Sequence, residues 1–128
     1  NIAFGQDCTM DPWYSLGGAD MLDVAHMGLH VGQLSSREAM RFCFEAVTTN
    51  PAKVMELDNY GLDVGCNGDL VILQAKDAIE AVRMRATRLF VVRRGKVISE
   101  TPAKVSRLSL DGRPASVDPA AYAPVAEG

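Results

Sequence analysis

The order of the predicted elements limits the folds open to this chain. A short apolar run at Ile2–Phe4 predicts a strand, and apolar residues then recur at helical spacing between about residues 19 and 47. Further apolar strands are predicted only later, at residues 70–73, 89–92 and 96–99. A doubly wound fold needs strands that alternate regularly with helices, and this order does not supply them. We therefore expect an α/β chain in which one strand and several helices precede a cluster of strands.

Local signals mark where the predicted helices begin. Ser35 with Glu38 three residues later has the form of a capping box, and it predicts a helix that ends near Val47. Asn50 and Pro51 are typical of an N-cap and a first helical position, so we expect a short helix to start there. Two of the predicted helix starts are thereby assigned to a capping side chain.

Turns and a further helix are predicted in the second half of the chain. Residues 60–69 hold three glycines and predict a structured loop. A helix is expected over Asp77–Arg85 with Ile79 and Val82 on its buried side, and a hairpin turn is expected at residues 94–95. These elements would form a small unit of strands with one helix.

The composition excludes several classes of protein. The formal net charge of -3 over 128 residues does not indicate the basic surface that binds nucleic acid. No apolar run approaches the roughly 20 residues of a membrane span. The three cysteines are odd in number and lack CxxC spacing, which favours a reducing cytoplasm over a disulfide framework. Because the chain starts at Asn1 without an initiator Met, directly on an apolar run, we expect it to be a fragment.

Asp7 stands at the start of a polar loop, just beyond the first predicted strand. In a (β/α)8 barrel, groups at the carboxyl ends of strands line the active site. A carboxylate there can bind a cation or move a proton. Spacing alone favours a simpler interpretation, in which Asp7 only accepts hydrogen bonds from loop backbone amides.

Several motifs resemble one enzyme family. The run AFGQD at residues 3–7, followed by DPWYSLG at residues 11–17, is similar to the last-strand signature of bacterial cytosine deaminases. The runs NPAK at residues 50–53, GLDVGCNGDLVIL at residues 61–73 and VRRGKVI at residues 92–98 resemble the wider metal-dependent amidohydrolase superfamily. The resemblance covers roughly residues 1–99, and its first motif is the most specific to the cytosine deaminases.

The resemblance implies a fold and a division into domains. The chain would be the end of a (β/α)8 amidohydrolase barrel joined to the C-terminal strands of an attached β-sandwich domain. Residues 1–57 would hold the last strand, the active-site loop and the helices of the barrel, and residues 58–105 the C-terminal part of the β-domain. Residues 106–128 would form a tail, whose prolines and alanines with little periodicity predict a mobile end.

The same resemblance assigns roles in the site. Asp7 would be the catalytic aspartate of the last strand, which binds the metal or faces the water that it activates and takes a proton from that water. Trp13 matches the tryptophan that shapes the pocket beside the substrate ring, although it could instead be a loop anchor on the barrel rim. The divalent metal, Fe or Zn, would belong to the full-length parent, and we expect the fragment alone to bind none.

Cys8 is the main departure from the family pattern. Cytosine deaminases usually have a second acidic residue at this position, where it helps to recognise the pyrimidine, and Gln6 likewise stands where a histidine is often found. A thiol does not accept hydrogen bonds as a carboxylate does, so Cys8 would contact a different substrate edge. Isocytosine, a halogenated or oxidised base, or another cyclic amidine would suit the same hydrolytic deamination. Cys8 could also be only a small side chain that fills space.

Other candidate site residues are weaker. His26 and His30 lie four apart on a predicted helix, a spacing that can bind zinc, but the run between them lacks the glutamate of HExxH, which disfavours a metalloprotease-type metal role without excluding metal binding. The HxE and PCxxC signature of cytidine-deaminase-fold enzymes is absent, as is the HxH pair of the amidohydrolases. Since one aspartate cannot hold a catalytic metal, we expect the chain alone to be inactive.

The leading interpretation is therefore a fragment of a metal-dependent deaminase that acts on a small nucleobase-like substrate. One alternative is another amidohydrolase that opens cyclic amides with the same fold. A second is a non-catalytic domain that forms homo-oligomers through apolar surface, because large exposed apolar patches usually find partners.

Overall fold

The computed structural model describes residues 1–117, which combine helices with short antiparallel strands. In chain order the elements are α1 (Met21–Val31), α2 (Arg37–Glu45), α3 (Thr49–Val54), β1 (Leu70–Leu73), α4 (Ala78–Met84), β2 (Arg88–Arg93), β3 (Lys96–Glu100), β4 (Ser106–Arg107) and β5 (Ser116–Val117). Three helices thus precede the strands, as the order of the sequence signals predicts. No helix within these residues is long and apolar enough to span a membrane.

The predicted first strand does not form. The structure assigns no strand to Ile2–Phe4, since no described strand lies beside it to complete a ladder. Helix residues hold this segment instead. The Phe4 backbone N–H donates to the Ala46 carbonyl at 2.8 Å, and the Asn50 side-chain amide donates to the Ile2 carbonyl at 3.0 Å.

Two predicted helix caps are wrong by a short distance along the chain. The N-cap of α2 is Ser36 rather than Ser35, and its hydroxyl oxygen accepts from the Ala39 N–H at 3.1 Å. Helix α3 starts one residue before Asn50, with Thr48 at the N-cap position and no side-chain cap bond. Asn50 lies inside the helix, and its side-chain amide holds the N-terminal segment instead of capping α3.

Helices α1, α2 and α4 pack around one apolar core. Its fully packed members are Leu22, Ala25, Cys43 and Val82. Val82 is completely buried, and Ile79 on the same helix is buried as predicted. Helix α4 belongs to the segment predicted as a β-domain, yet it contacts both α1 and α2. The division at residues 57 and 58 stays a prediction.

The strands of the second half form two small sheets. Strands β1, β2 and β3 make a three-stranded antiparallel sheet in that order, with Leu70 opposite Val92 and Phe90 opposite Glu100. The hairpin turn between β2 and β3 lies at residues 94–95 as predicted, and both have positive φ, 47° and 73°, as a type I′ turn requires.

The predicted tail is partly structured. Strands β4 and β5 pair antiparallel, a ladder that the weak periodicity of this region does not predict. Residues 118–128 lie outside the described residues, so the mobile end expected of the tail stays a prediction.

Candidate active site

The N-terminal segment and α1 face each other across a cavity of about 730 Å³. The polar side chains on its wall that matter for chemistry are Gln6, Asp7, Cys8, Tyr14 and His26. Much of the rest of the wall is apolar, from Phe4 and from the exposed side of α1. A concave, mostly apolar surface with a few convergent polar groups is the usual form of a small-molecule site.

Phe4 holds the segment that carries these polar groups. Its ring meets the ring of Phe42 edge-on, with centroids 6.3 Å apart and 87° between the planes. Such an edge-to-face pair is stabilising beyond the burial of its area. Together with the backbone bond from Phe4 to Ala46, this contact fixes the chain three residues before Asp7.

Asp7 and Cys8 lie side by side on the cavity wall. The Asp7 side chain is exposed, and the Cys8 thiol donates to its Oδ2 at 3.7 Å. The Asp11 carboxylate, an alternative acceptor for the same thiol proton, and then desolvation and the charge of Asp7, raise the pKa of the Cys8 thiol above its usual value. Cys8 is therefore a neutral thiol at neutral pH, a weak hydrogen-bond donor and not a nucleophile.

Asp11, rather than Asp7, stabilises the loop. Its Oδ1 accepts from the backbone N–H groups of Trp13 and Tyr14, both at 2.9 Å. The hydrogen bond from the Tyr14 backbone N–H is the main cause that holds the pKa of the Asp11 carboxyl below its usual range. The hydrogen bond from the Cys8 thiol is the second cause. Within residues 1–117 no backbone amide donates to the Asp7 carboxylate, so the turn-forming role that spacing favoured for Asp7 belongs to Asp11.

Trp13 does not line the cavity. Its side chain is 85% exposed, so it neither contacts the cavity nor packs as a loop anchor among the described residues. Its contact with substrate stays a prediction. The neighbouring Tyr14 is on the cavity wall instead, and the glycine at Gly17 makes this possible: a Cβ there would lie 2.9 Å from Tyr14 Cε1.

Gln6 and Tyr14 are site residues that the sequence analysis did not select. The Gln6 amide donates to the Cys8 carbonyl at 3.4 Å, while its Oε1 is buried with no hydrogen-bond partner in the described part of the chain. An acceptor of this kind can take a hydrogen bond from a ligand in the cavity. Gln6 belongs to the motif at residues 3–7 and Tyr14 to the motif at residues 11–17. Membership of these motifs was the sequence signal that could have marked them as candidate site residues.

The described residues do not make a complete metal centre. No group of three or more His, Cys, Asp or Glu side chains within residues 1–117 could hold a metal ion. Asp7 offers one carboxylate, which suits a hard or borderline cation but supplies only one of the ligands that a catalytic metal needs.

The amidohydrolase family model matches residues 1–114. This chain belongs to the amidohydrolase family. The resemblance to cytosine deaminase-like members is confirmed by 5-methylcytosine deaminase from Klebsiella pneumoniae, solved with 5-fluorocytosine. That structure has a TM-score of 0.78 and 38% identity, and the match covers 84% of this amidohydrolase chain and 26% of that one.

Two further relatives carry a different substrate in their names. N-isopropylammelide isopropylaminohydrolase from Burkholderia multivorans ATCC 17616 has a TM-score of 0.69 and 32% identity, covering 74% of this amidohydrolase chain and 24% of that one. N-isopropylammelide isopropyl amidohydrolase of Pseudomonas sp. (strain ADP) is 28% identical over 99 residues, 77% of this chain and 25% of the relative. The chain thus spans about a quarter of the length of the relatives it matches.

Proposed function

We propose that this chain is the C-terminal part of a metal-dependent hydrolytic deaminase that acts on cytosine or a related cyclic amidine base. The observation that carries the proposal is Asp7 on the wall of the cavity, within a segment that matches 5-methylcytosine deaminase at 38% identity. The N-terminal segment would complete the last strand of a (β/α)8 barrel in the parent. The sheet of β1, β2 and β3 would belong to its β-sandwich.

Asp7 would move the proton in this reaction. A divalent Fe or Zn ion in the parent would supply the activation of water, with Asp7 as one of its ligands. The Asp7 carboxylate is exposed to the cavity and accepts only from the weakly donating Cys8 thiol among the described residues, so it is available as a base. It would take a proton from the water and return it to the departing amine.

Cys8 would set which base is accepted. Its raised pKa keeps the thiol neutral, so at this position the cavity presents a weak donor where a carboxylate would present two acceptors. A cytosine ring N–H would lose an ionic acceptor there, while the Gln6 Oε1 remains available as a neutral one. The substrate is therefore proposed to be a substituted or altered pyrimidine, such as isocytosine or a halogenated base.

A second candidate is a hydrolase for another nitrogen-rich ring. The matches to the two N-isopropylammelide enzymes, which cover about three quarters of this chain, favour it. Both candidates use the same reaction, attack of water at a ring carbon with loss of an amine, and they differ in the ring and in the amine released.

The test is amine release by the full-length parent, with Fe(II) or Zn(II) added or withheld. The substrates are cytosine, 5-methylcytosine, isocytosine and N-isopropylammelide. We expect turnover of at least one pyrimidine and a loss of kcat of about 100-fold or more in Asp7→Asn, since a general base contributes 10²–10⁴-fold. Asp58→Asn, in an exposed loop away from the cavity wall, is the matched control and should keep normal activity. Near-normal turnover by Asp7→Asn would show that Asp7 does not move the proton in this reaction.

A further inference from the structure

His26 and His30 on α1 form a close pair. Their Nε2 atoms are 3.1 Å apart, and their ring centroids are separated by 4.6 Å. Residues four apart project from the same face of a helix, so the pair is a consequence of the helix itself. We propose that His26 and His30 form a transition-metal site of two imidazole nitrogens, which takes Zn²⁺ and similar borderline cations. The site does not involve Asp7.

The separation of the two nitrogens fits one metal ion. Zn–N(His) bonds are about 2.0–2.1 Å long, and two such bonds to nitrogens 3.1 Å apart subtend about 95–102° at the metal. This angle lies between the ~90° of a square-planar or octahedral site and the ~109° of a tetrahedral one. The two Nε2 atoms face each other in the structure, so both rings must rotate before their lone pairs point to a common ion.

A backbone carbonyl orients the inner ring. The Nδ1 of His26 lies 3.2 Å from the Val82 carbonyl oxygen, which can only accept, so the proton of His26 is on Nδ1. In the neutral ring the Nε2 of His26 then has no proton and can accept the Nε2–H of His30, 3.1 Å away. Metal-binding histidines usually donate their other ring N–H to such a carbonyl, which fixes the orientation of the ring. Metal binding then requires that His30 carry its proton on Nδ1 and that the two rings rotate toward the ion.

The remaining coordination positions face water. His30 is exposed and His26 half-buried, and no third His, Cys, Asp or Glu completes a cluster within the described residues. Water would fill the other positions, so the ion would exchange readily. Imidazole ligands suit Zn²⁺, Ni²⁺ and Cu²⁺, whereas Mg²⁺ and Ca²⁺ require oxygen ligands. The missing glutamate of HExxH removes the general base of a metalloprotease and leaves the two metal ligands in place.

Calorimetric titration of the full chain with Zn²⁺ tests this site. We expect one Zn²⁺ ion per chain and no binding of Mg²⁺, which requires oxygen ligands. Nitrogen NMR of the histidine rings should show both Nε2 signals shifting with Zn²⁺. His30→Ala, which removes an exposed ligand, should weaken binding at least about tenfold.

Three controls separate the pair from other ligands. Asp7→Asn should leave the Zn²⁺ affinity unchanged, and so should the double substitution Cys8→Ser with Cys66→Ser. His26→Gln should weaken binding like His30→Ala, with helical circular dichroism confirming that α1 is still packed. Unchanged affinity in His30→Ala, or a loss in the cysteine variant, would overturn the proposal. Amine release by the parent is a separate measurement, so a failed deaminase assay would not bear on this result.

Discussion

The Phe4 ring lies directly against the backbone of Gly28 in α1: a Cβ at residue 28 would come within 2.7 Å of Phe4 Cε2. Glycine in a helix interior is usually destabilising, and here it allows an aromatic ring to approach the helix closely. Because Phe4 is three residues before Asp7, this contact sets how near the candidate catalytic segment lies to α1. Gly28 is also on the wall of the cavity.

Gly28→Ala should lower the free energy of unfolding by about 1–2 kcal/mol. Overpacking of this kind costs about 1–3 kcal/mol, and the better helix propensity of alanine returns up to about 1 kcal/mol. Urea unfolding measures the difference. Gly18→Ala is the control, because nothing lies within 4 Å of the Cβ it would add. A Gly28→Ala protein as stable as the wild type would show that Phe4 moves away freely.

Asp77 at the N-cap of α4 should make stability depend on acid pH. The Glu80 backbone N–H, which donates to Asp77 Oδ1 at 2.8 Å, is the main cause that holds the pKa of this carboxyl below its usual range. A pKa that is lower in the folded than in the unfolded state adds stability above the unfolded value of about 3.9. That contribution is lost as the pH falls through the folded pKa.

Asp77→Asn tests this dependence because its amide oxygen can still accept the Glu80 bond without a charge to titrate. The urea midpoint, followed from about pH 6 to about pH 2, should fall less steeply below pH 4 in the variant than in the wild type. Asp77→Ala loses the cap as well and should be less stable at every pH. Parallel profiles for Asp77→Asn and the wild type would contradict the assignment.

Cys8→Asp should shift substrate preference toward cytosine, if the proposed function holds. The substitution restores the acidic residue usual after the metal-site aspartate and replaces a neutral thiol with an ionic acceptor. In the full-length parent, kcat/KM for cytosine relative to isocytosine should rise at least about tenfold. Cys8→Ser keeps a small neutral side chain and should change this ratio little. If Cys8→Asp and Cys8→Ser give the same ratio of kcat/KM for cytosine and isocytosine, residue 8 does not select the base.

We propose that the chain self-associates through the apolar side chains that α1 exposes. Met27 is 52% and Val31 78% exposed on the cavity wall, a surface that the rest of the barrel would cover in the parent, and exposed apolar surface favours partners. Light scattering of the chain should show a mass above that of one chain, increasing with concentration. Val31→Lys should reduce association, whereas Val64→Lys, in an exposed loop, should not. A clean monomer at high concentration would count against this proposal.

Elements that depend on neighbouring residues were predictable from sequence. The helix expected over residues 77–85 forms, with Ile79 and Val82 on its buried side, because this periodicity lies within one helix. The turn at residues 94–95 follows from its residue types in the same way. Elements that need distant partners were not predictable: Ile2–Phe4 has the composition of a strand but no strand beside it, and the amide expected to cap a helix at Asn50 holds that segment instead.

The sequence by itself determined the family, through the motif around Asp7 and the segment that follows it, and it placed Cys8 as the departure from that family. Only the tertiary structure decided which side chains share the cavity. It brought Tyr14 to the wall, left Trp13 85% exposed, gave the turn-forming role to Asp11, and set the His26 ring against the Val82 carbonyl. Motifs report which residues are present, whereas hydrogen-bond partners and shared surfaces depend on chain segments that fold together from far apart.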